Sequence, residues 1–178
     1  VLLADKELMI FPILSSIGVL LVTATFAIPL FAGNFFQSLS DGGSFIYYIV
    51  LFLYYIVQYF VIFFANTALV GAAMIRIKGG DPTVRDGFDI AFKRFGPILG
   101  YALIAATVGV LLSMLRNSKK RSGGRDLVAS LIGFAWTVAT FLVVPILAIE
   151  NVGPIEAIKR SVMYLKKTWG EQIVGNFG

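Results

Sequence analysis

Of the 178 residues in this chain, 58% are hydrophobic and 14% charged, where soluble domains run at about 45–50% and about 25%. It has neither cysteine nor histidine, which excludes disulfides, thiolate chemistry and the commonest general base and metal ligand. The net charge of +5 arises from Lys and Arg in short connectors between apolar runs, a distribution that suits anionic lipid head groups rather than nucleic acid.

A membrane-crossing backbone must satisfy its own hydrogen bonds, and barrel strands would alternate in segments of about 10 residues. The four apolar runs, near residues 8–31, 45–75, 97–115 and 127–149, are instead continuous and reach the ~18 residues of a spanning helix. They predict an all-α fold: a polytopic transmembrane helix bundle with interfacial amphipathic helices between membrane hairpins. Residues 1–178 form a single membrane domain on this reading.

The first run is bulky from Phe11 to Phe31 and lacks a small-residue cleavage site, so it reads as a permanent anchor. Pro12 and Pro29 stand near its ends, where a missing donor is tolerated. The connector from Ala32 to Ser44 carries no Lys or Arg. The second run, 31 residues from Phe45 to Ile75, would extend roughly 46 Å against a hydrocarbon core of about 30 Å, and must tilt, kink or project. Its first half is aromatic, its second half small at Ala65, Ala68, Gly71, Ala72 and Ala73, as close helix approach requires. Gln58, Asn66 and Thr67 interrupt it; such groups either line a polar path or act as interhelical hydrogen-bond glue.

Asp81-Pro82 predicts a helix start with proline at the first helical position, and an interfacial helix over about 82–95. Val84, Phe88, Ala91, Phe92 and Phe95 form its apolar stripe, with Arg85, Lys93 and Arg94 on other faces toward lipid head groups. The device repeats over about 154–169: Ile155, Ile158, Val162, Leu165 and Trp169 make the stripe, and Lys159, Arg160, Lys166 and Lys167 the basic side. Trp169 suits an interfacial anchor. Gly96 and Gly170 follow the two basic clusters and are expected to permit the corner into the next span.

Spans three and four each carry a small residue at every fourth position, Ala105, Gly109 and Ser113 in one and Ala129, Gly133 and Thr137 in the other. These ridges predict a closely packed antiparallel hairpin. Between them lies the basic connector from Arg116 to Arg125, and after the fourth span comes Glu150, either a site for a proton, cation or lipid amine or a helix-end carboxylate paired with a nearby base. With a cytoplasmic amino terminus, ten Lys and Arg fall inside and five, all in that connector, outside. Val1 in place of an initiator methionine, and an apolar segment beginning at Ile173, predict a longer natural protein whose fifth span starts after residue 171.

The stretches GGDPTVRDGFDIAFKRFGPILG, FAWTVATFLVVPILAIENVGPIEAIKRS and YLKKTWGEQIVGNFG together resemble a family of uncharacterised bacterial and archaeal polytopic membrane proteins. Broader relatives look like the membrane domains attached to some glycerophosphodiester phosphodiesterases. The resemblance implies about six spans in repeated units of surface helix plus hairpin, a prokaryotic cytoplasmic (inner) membrane, and no established activity.

No nucleophile with its base, no phosphate-binding loop and no paired acids within a span occur, so the expectation is a protein that is not an enzyme and needs no cofactor. Its partners would be membrane lipids with anionic head groups, and protein partners or further copies of itself. The leading expectation is a scaffold or accessory subunit of a larger membrane assembly. The alternative is a transporter or channel for a small or amphiphilic solute, with Gln58, Asn66, Thr67 and Glu150 lining the route.

Overall fold

A computed structural model describes residues 8–32, 44–117 and 123–176. Its helices are α1 (Ile10–Ala32), α2 (Ser44–Ile77), α3 (Val84–Lys93), α4 (Phe95–Asn117), α5 (Gly123–Ala139), α6 (Val143–Ile149) and α7 (Pro154–Asn176), with no strand among the described residues. The chain is an all-α bundle with four segments long and apolar enough to cross a membrane: Ile10–Ile28, Tyr48–Ile77, Phe95–Leu115 and Leu127–Ile149. Residues 33–43 of the connector between Ala32 and Ser44, and residues 118–122 of the basic connector from Arg116 to Arg125, lie outside the described residues.

The bundle is organised around α2. Free of proline, this helix runs 34 residues, about 51 Å at 1.5 Å per residue, and so exceeds the ~30 Å hydrocarbon core. It packs against α1, α3, α4 and α6, while α5 is peripheral and touches chiefly α4 and α7. Its aromatic side chains recur every fourth position and stack along one face: Tyr55 on Tyr59 at 5.8 Å, Tyr59 on Phe63 at 5.6 Å, and Phe63 on Tyr101 of α4 at 4.4 Å. A second row turns toward α3 and α4, where Phe60 meets Phe95 edge-on at 5.0 Å and Phe64 meets Phe92 likewise. Offset and edge-on pairs of this kind contribute about 0.5–1.5 kcal/mol each beyond area burial.

Local chemistry decides where α2 stops. Gly79 adopts φ +86°, a conformation that favours glycine. This lets the Gly79 N–H donate to the Arg76 carbonyl at 2.9 Å and the Gly80 N–H to the Ile75 carbonyl at 3.0 Å, which closes the helix with a Schellman motif. The following helix starts at Val84, later than the Asp81-Pro82 reading, because Thr83 rather than Asp81 is the N-cap. The Asp86 N–H donates to Thr83 Oγ1 at 3.3 Å while the Thr83 N–H donates to Asp86 Oδ2 at 2.9 Å. This reciprocal capping box satisfies two otherwise orphaned donors.

Two further expectations change. The corner between α3 and α4 is made at Arg94, not at Gly96, which lies inside α4 with open space where a Cβ would stand. No corner occurs at Gly170 either, since α7 continues without interruption to Asn176. The glycine that the fold does require is Gly87. A Cβ there would stand 2.4 Å from Phe11 Cζ and 2.7 Å from the Ala68 carbonyl oxygen, so only glycine lets α3 settle on α2 beneath the buried ring of Phe11. Leu8, Phe11, Ala68, Ala72, Ala91 and Ile98 make one buried core there. Tyr101, Val143, Ile146, Leu147 and Ala157 make a second, where α4, α6 and α7 meet.

Gly87→Ala is expected to lower the apparent melting temperature in detergent by an amount corresponding to about 1–3 kcal/mol of overpacking. Gly133→Ala, whose Cβ would meet Leu112 at an ordinary 3.6 Å, should be neutral or stabilising, by up to about 1 kcal/mol of helix propensity; equal effects would refute the contrast. A second expectation concerns acid. Donation from the Thr83 hydroxyl and backbone N–H holds the Asp86 carboxyl below its usual 3.8. Because the folded value is the lower one, the cap's contribution is complete above the unfolded value and is lost as pH falls through the native value. An NMR titration of Asp86 should show a midpoint below 3.8 that moves back upward in Thr83→Val.

Candidate functional site

The fourth apolar segment is not one continuous helix. It divides at residues 140–142 into α5 and α6, and Pro145 accounts for the break: it has no N–H to donate, and its ring crowds the carbonyl four residues earlier, at Phe141. The backbone tightens locally, with Phe141 N–H donating to Val138 at 3.2 Å and Val143 N–H to Thr140 at 3.1 Å. The Leu142 N–H leaves the helix pattern altogether and donates to Ser161 Oγ of α7 at 3.1 Å. Ser161 is fully buried. A hydroxyl on an amphipathic helix therefore satisfies the broken span, as non-helical backbone at membrane depth requires.

Glu150 completes the joint. It caps the C-terminus of α6, pairs with the Arg160 guanidinium and accepts from the Tyr164 hydroxyl at 3.0 Å. Arg160 Nε also donates to Glu156 at 3.1 Å. The two carboxylates keep Arg160 more firmly protonated, and donation to Glu150 raises the Tyr164 phenol above its usual value. Arg160 is thereby a structural cation at this joint. The face of α7 turned into the protein is marked by Ala157 and Ser161, whereas Ile155 and Trp169 of the expected stripe are exposed. Small residues won that face because α6 and α4 approach it closely.

The polar residues of α2 do not converge. At 3.6 residues per turn, Gln58 and Thr67 lie about 180° apart around the helix, with Asn66 about 80° from Gln58. Gln58 Oε1 and Thr67 Oγ1 are each buried without a hydrogen-bond partner among the described residues, while the Asn66 side chain faces outward. Glu150 follows Ile149, which shares a cavity with Ile75; Gln58 is about 25 Å from Ile75 along the α2 axis. The hydroxyls of Ser16, Thr23, Thr25, Thr107, Thr137 and Thr140 instead donate to carbonyls four residues back at 2.8–2.9 Å.

The small-residue ridges also separate. Gly109 lies beneath Tyr55 and Tyr59 of α2, and Ala105 is buried. Ala129 is buried and Gly133 meets Leu112 of α4, while Thr137 is exposed and Ser113 partly so. Thus α4 uses its ridge against the aromatic stack, and α5 uses its own against α4.

Among the basic residues, Arg85 is exposed and 4.0 Å from Asp89, and Lys159, Lys166 and Lys167 are exposed on α7. Lys166 and Trp169 border an apolar groove of about 500 Å³ between α5 and α7, with Phe134, Val138, Val162 and Leu165. Lys93 and Arg94 border a second cavity of about 300 Å³ together with Lys78. Sequence reasoning missed Lys78, Ser161 and Tyr164. A proline in an apolar run followed by a serine in the next amphipathic segment was a usable signal for Ser161; nothing local marked Lys78 or Tyr164.

Ser161→Ala leaves the Leu142 N–H unpaired and is expected to cost about 1–3 kcal/mol, measured as a lower apparent melting temperature. Thr137→Ala, which removes an exposed hydroxyl bonded only to its own helix, should change it little; a silent Ser161→Ala would remove the proposed role of the joint.

A family model described as a family of unknown function (DUF6159) matches residues 45–178, which take in α2 through α7. No curated protein and no solved structure matches the chain. With three quarters of its length inside that match, the chain belongs to DUF6159, a family of unknown function.

Proposed function

We propose that this protein is a membrane scaffold or accessory subunit with no catalysis of its own, which associates with other membrane helices through the outward face of α2. One observation carries the reading. The Asn66 side chain is exposed on a spanning helix and makes no hydrogen bond among the described residues. It lies about 16 Å from Ile77 along the axis, roughly halfway through a hydrocarbon core of about 30 Å. A primary amide facing lipid at that depth is unfavourable, and a hydrogen bond from a neighbouring helix relieves it by about 0.6–2 kcal/mol. The peripheral helix α5 and the break after it, with Phe134 and Phe141 about 70% exposed, offer further apolar surface for a partner.

Clustering of Lys78, Lys93 and Arg94 around the cavity at the C-terminal end of α2 supports a cytoplasmic amino terminus, and we extend the proposal to a prokaryotic inner membrane with α3 and α7 as corresponding elements of a repeat. Break and joint at residues 140–142 favour a second reading, a transporter or channel for a small or amphiphilic solute, because discontinuous helices line many transport sites.

Full-length protein isolated in native nanodiscs should retain a stoichiometric protein partner or a second copy, identified by mass spectrometry. Asn66→Leu should reduce that retention by about threefold to thirtyfold, the range equivalent to the amide hydrogen bond. A strictly monomeric protein without companions would defeat the scaffold reading, and solute flux across proteoliposomes containing it would establish the second.

A further inference from the structure

The charges that meet at the C-terminal end of α2 are not balanced in the same way on every side. Every described acidic side chain whose surroundings are defined has a partner: Asp81 bonds Arg76 at 2.8 Å, Asp86 is taken up by the Thr83 cap, Asp89 lies 4.0 Å from Arg85, and Glu150 and Glu156 both hold Arg160. Lys78, Lys93 and Arg94 face no carboxylate within ion-pair distance among the described residues. Arg94 bonds the neutral side chain of Asn151, which orients its guanidinium without cancelling its charge.

These three cations come from three places in the chain: the turn after α2, the last residue of α3, and the corner between α3 and α4. They border one cavity of about 300 Å³. Its remaining wall is apolar, made by Met74 and Ile75 of α2, Ile90 of α3, and Ala148 and Ile149 of α6. Three like charges gathered without a counter-ion repel one another, and an anion between them removes that penalty. An apolar floor beside the cations adds a requirement that a simple inorganic ion does not meet.

We propose that this cavity is a binding site for a phosphate ester, its anionic oxygens held by Lys78, Lys93 and Arg94 and its ester carbons resting on Met74, Ile75 and Ile149. Arg94, held by Asn151, presents the planar fork suited to two phosphate oxygens, and the lysines act as point charges. The site differs from a diffuse basic surface in having walls. Lys159 and Lys167, equally charged, exposed on α7 and bordering neither cavity, provide the comparison.

The test uses the full-length protein, delipidated in detergent and titrated with phosphatidylglycerol, phosphatidic acid or phosphatidylcholine, with bound lipid counted by native mass spectrometry. One equivalent of an anionic lipid should bind saturably, and the pair Lys78→Gln with Lys93→Gln should weaken it about tenfold or more. Lys159→Gln with Lys167→Gln makes the same change in charge and should leave affinity within about twofold. Lys93→Arg should preserve binding, and melting temperatures of all variants check that each is folded. Competing glycerol phosphate separates the two sources of the ligand: displacement identifies a soluble phosphate ester and failure to displace identifies the lipid, while equally effective displacement by inorganic phosphate would overturn the role of the apolar wall. Equal loss in the two double variants, or equal affinity for phosphatidylcholine, would overturn the site.

Discussion

The packing of aromatic rings on α2 against small residues of its neighbours is the constraint on which this bundle depends. Lipid tails are as apolar as leucine, so hydrophobic burial alone does not hold membrane helices together. Close contact must do so. Tyr55 and Tyr59 lie over Gly109, Val61 meets Gly18, Ile90 meets Gly71, and Gly87 admits both Phe11 and the Ala68 carbonyl. Gly18, Gly71 and Gly87 trade helix propensity for an approach that a Cβ would obstruct, whereas Gly109 lies at ordinary contact distance. Since α1, α3, α4 and α6 all take their positions from α2, loss of that fit would be felt throughout the fold.

The joint at residues 140–142 follows from the same economy of hydrogen bonds. Pro145 interrupts the span, and the unpaired Leu142 N–H is then satisfied from outside its own helix by Ser161. Glu150, Arg160 and Tyr164 tie the other end of α6 to α7. An amphipathic helix that would otherwise only rest on the bilayer surface thereby becomes a fixed part of the bundle. Coupling of this kind would transmit any movement of α7 directly to the broken span.

Charge is arranged with comparable asymmetry. Among the described residues, the carboxylates are taken up by caps and guanidinium groups, while Lys78, Lys93 and Arg94 face no carboxylate around an apolar cavity. Polar groups inside the bundle are scattered by contrast. Gln58 and Thr67 point to opposite sides of α2, and Asn66 points away from the helices described around it. The side-chain oxygens of the first two are buried and the third side chain is exposed, so the three do not line one common surface.

The sequence by itself determined the all-α class, the four membrane-length segments and the presence of two amphipathic elements, because these follow from local hydropathy and period. It also carried the stop after α2, since Lys78-Gly79-Gly80 is a short-range signal. It misled where long-range fit decides: Gly96 and Gly170 looked like corners and lie within helices, while Gly87, inconspicuous in the chain, is the position where α3 meets α2. Of the candidate site, Lys93, Arg94 and Glu150 were legible as charges at membrane boundaries. Which of them was neutralised was not, because Arg160 reaches Glu150 across a bend and Lys78 reaches the same cavity as Arg94 from another helix. Pairing, burial and the walls of a cavity depend on residues far apart in the chain, and only the tertiary structure brings those together.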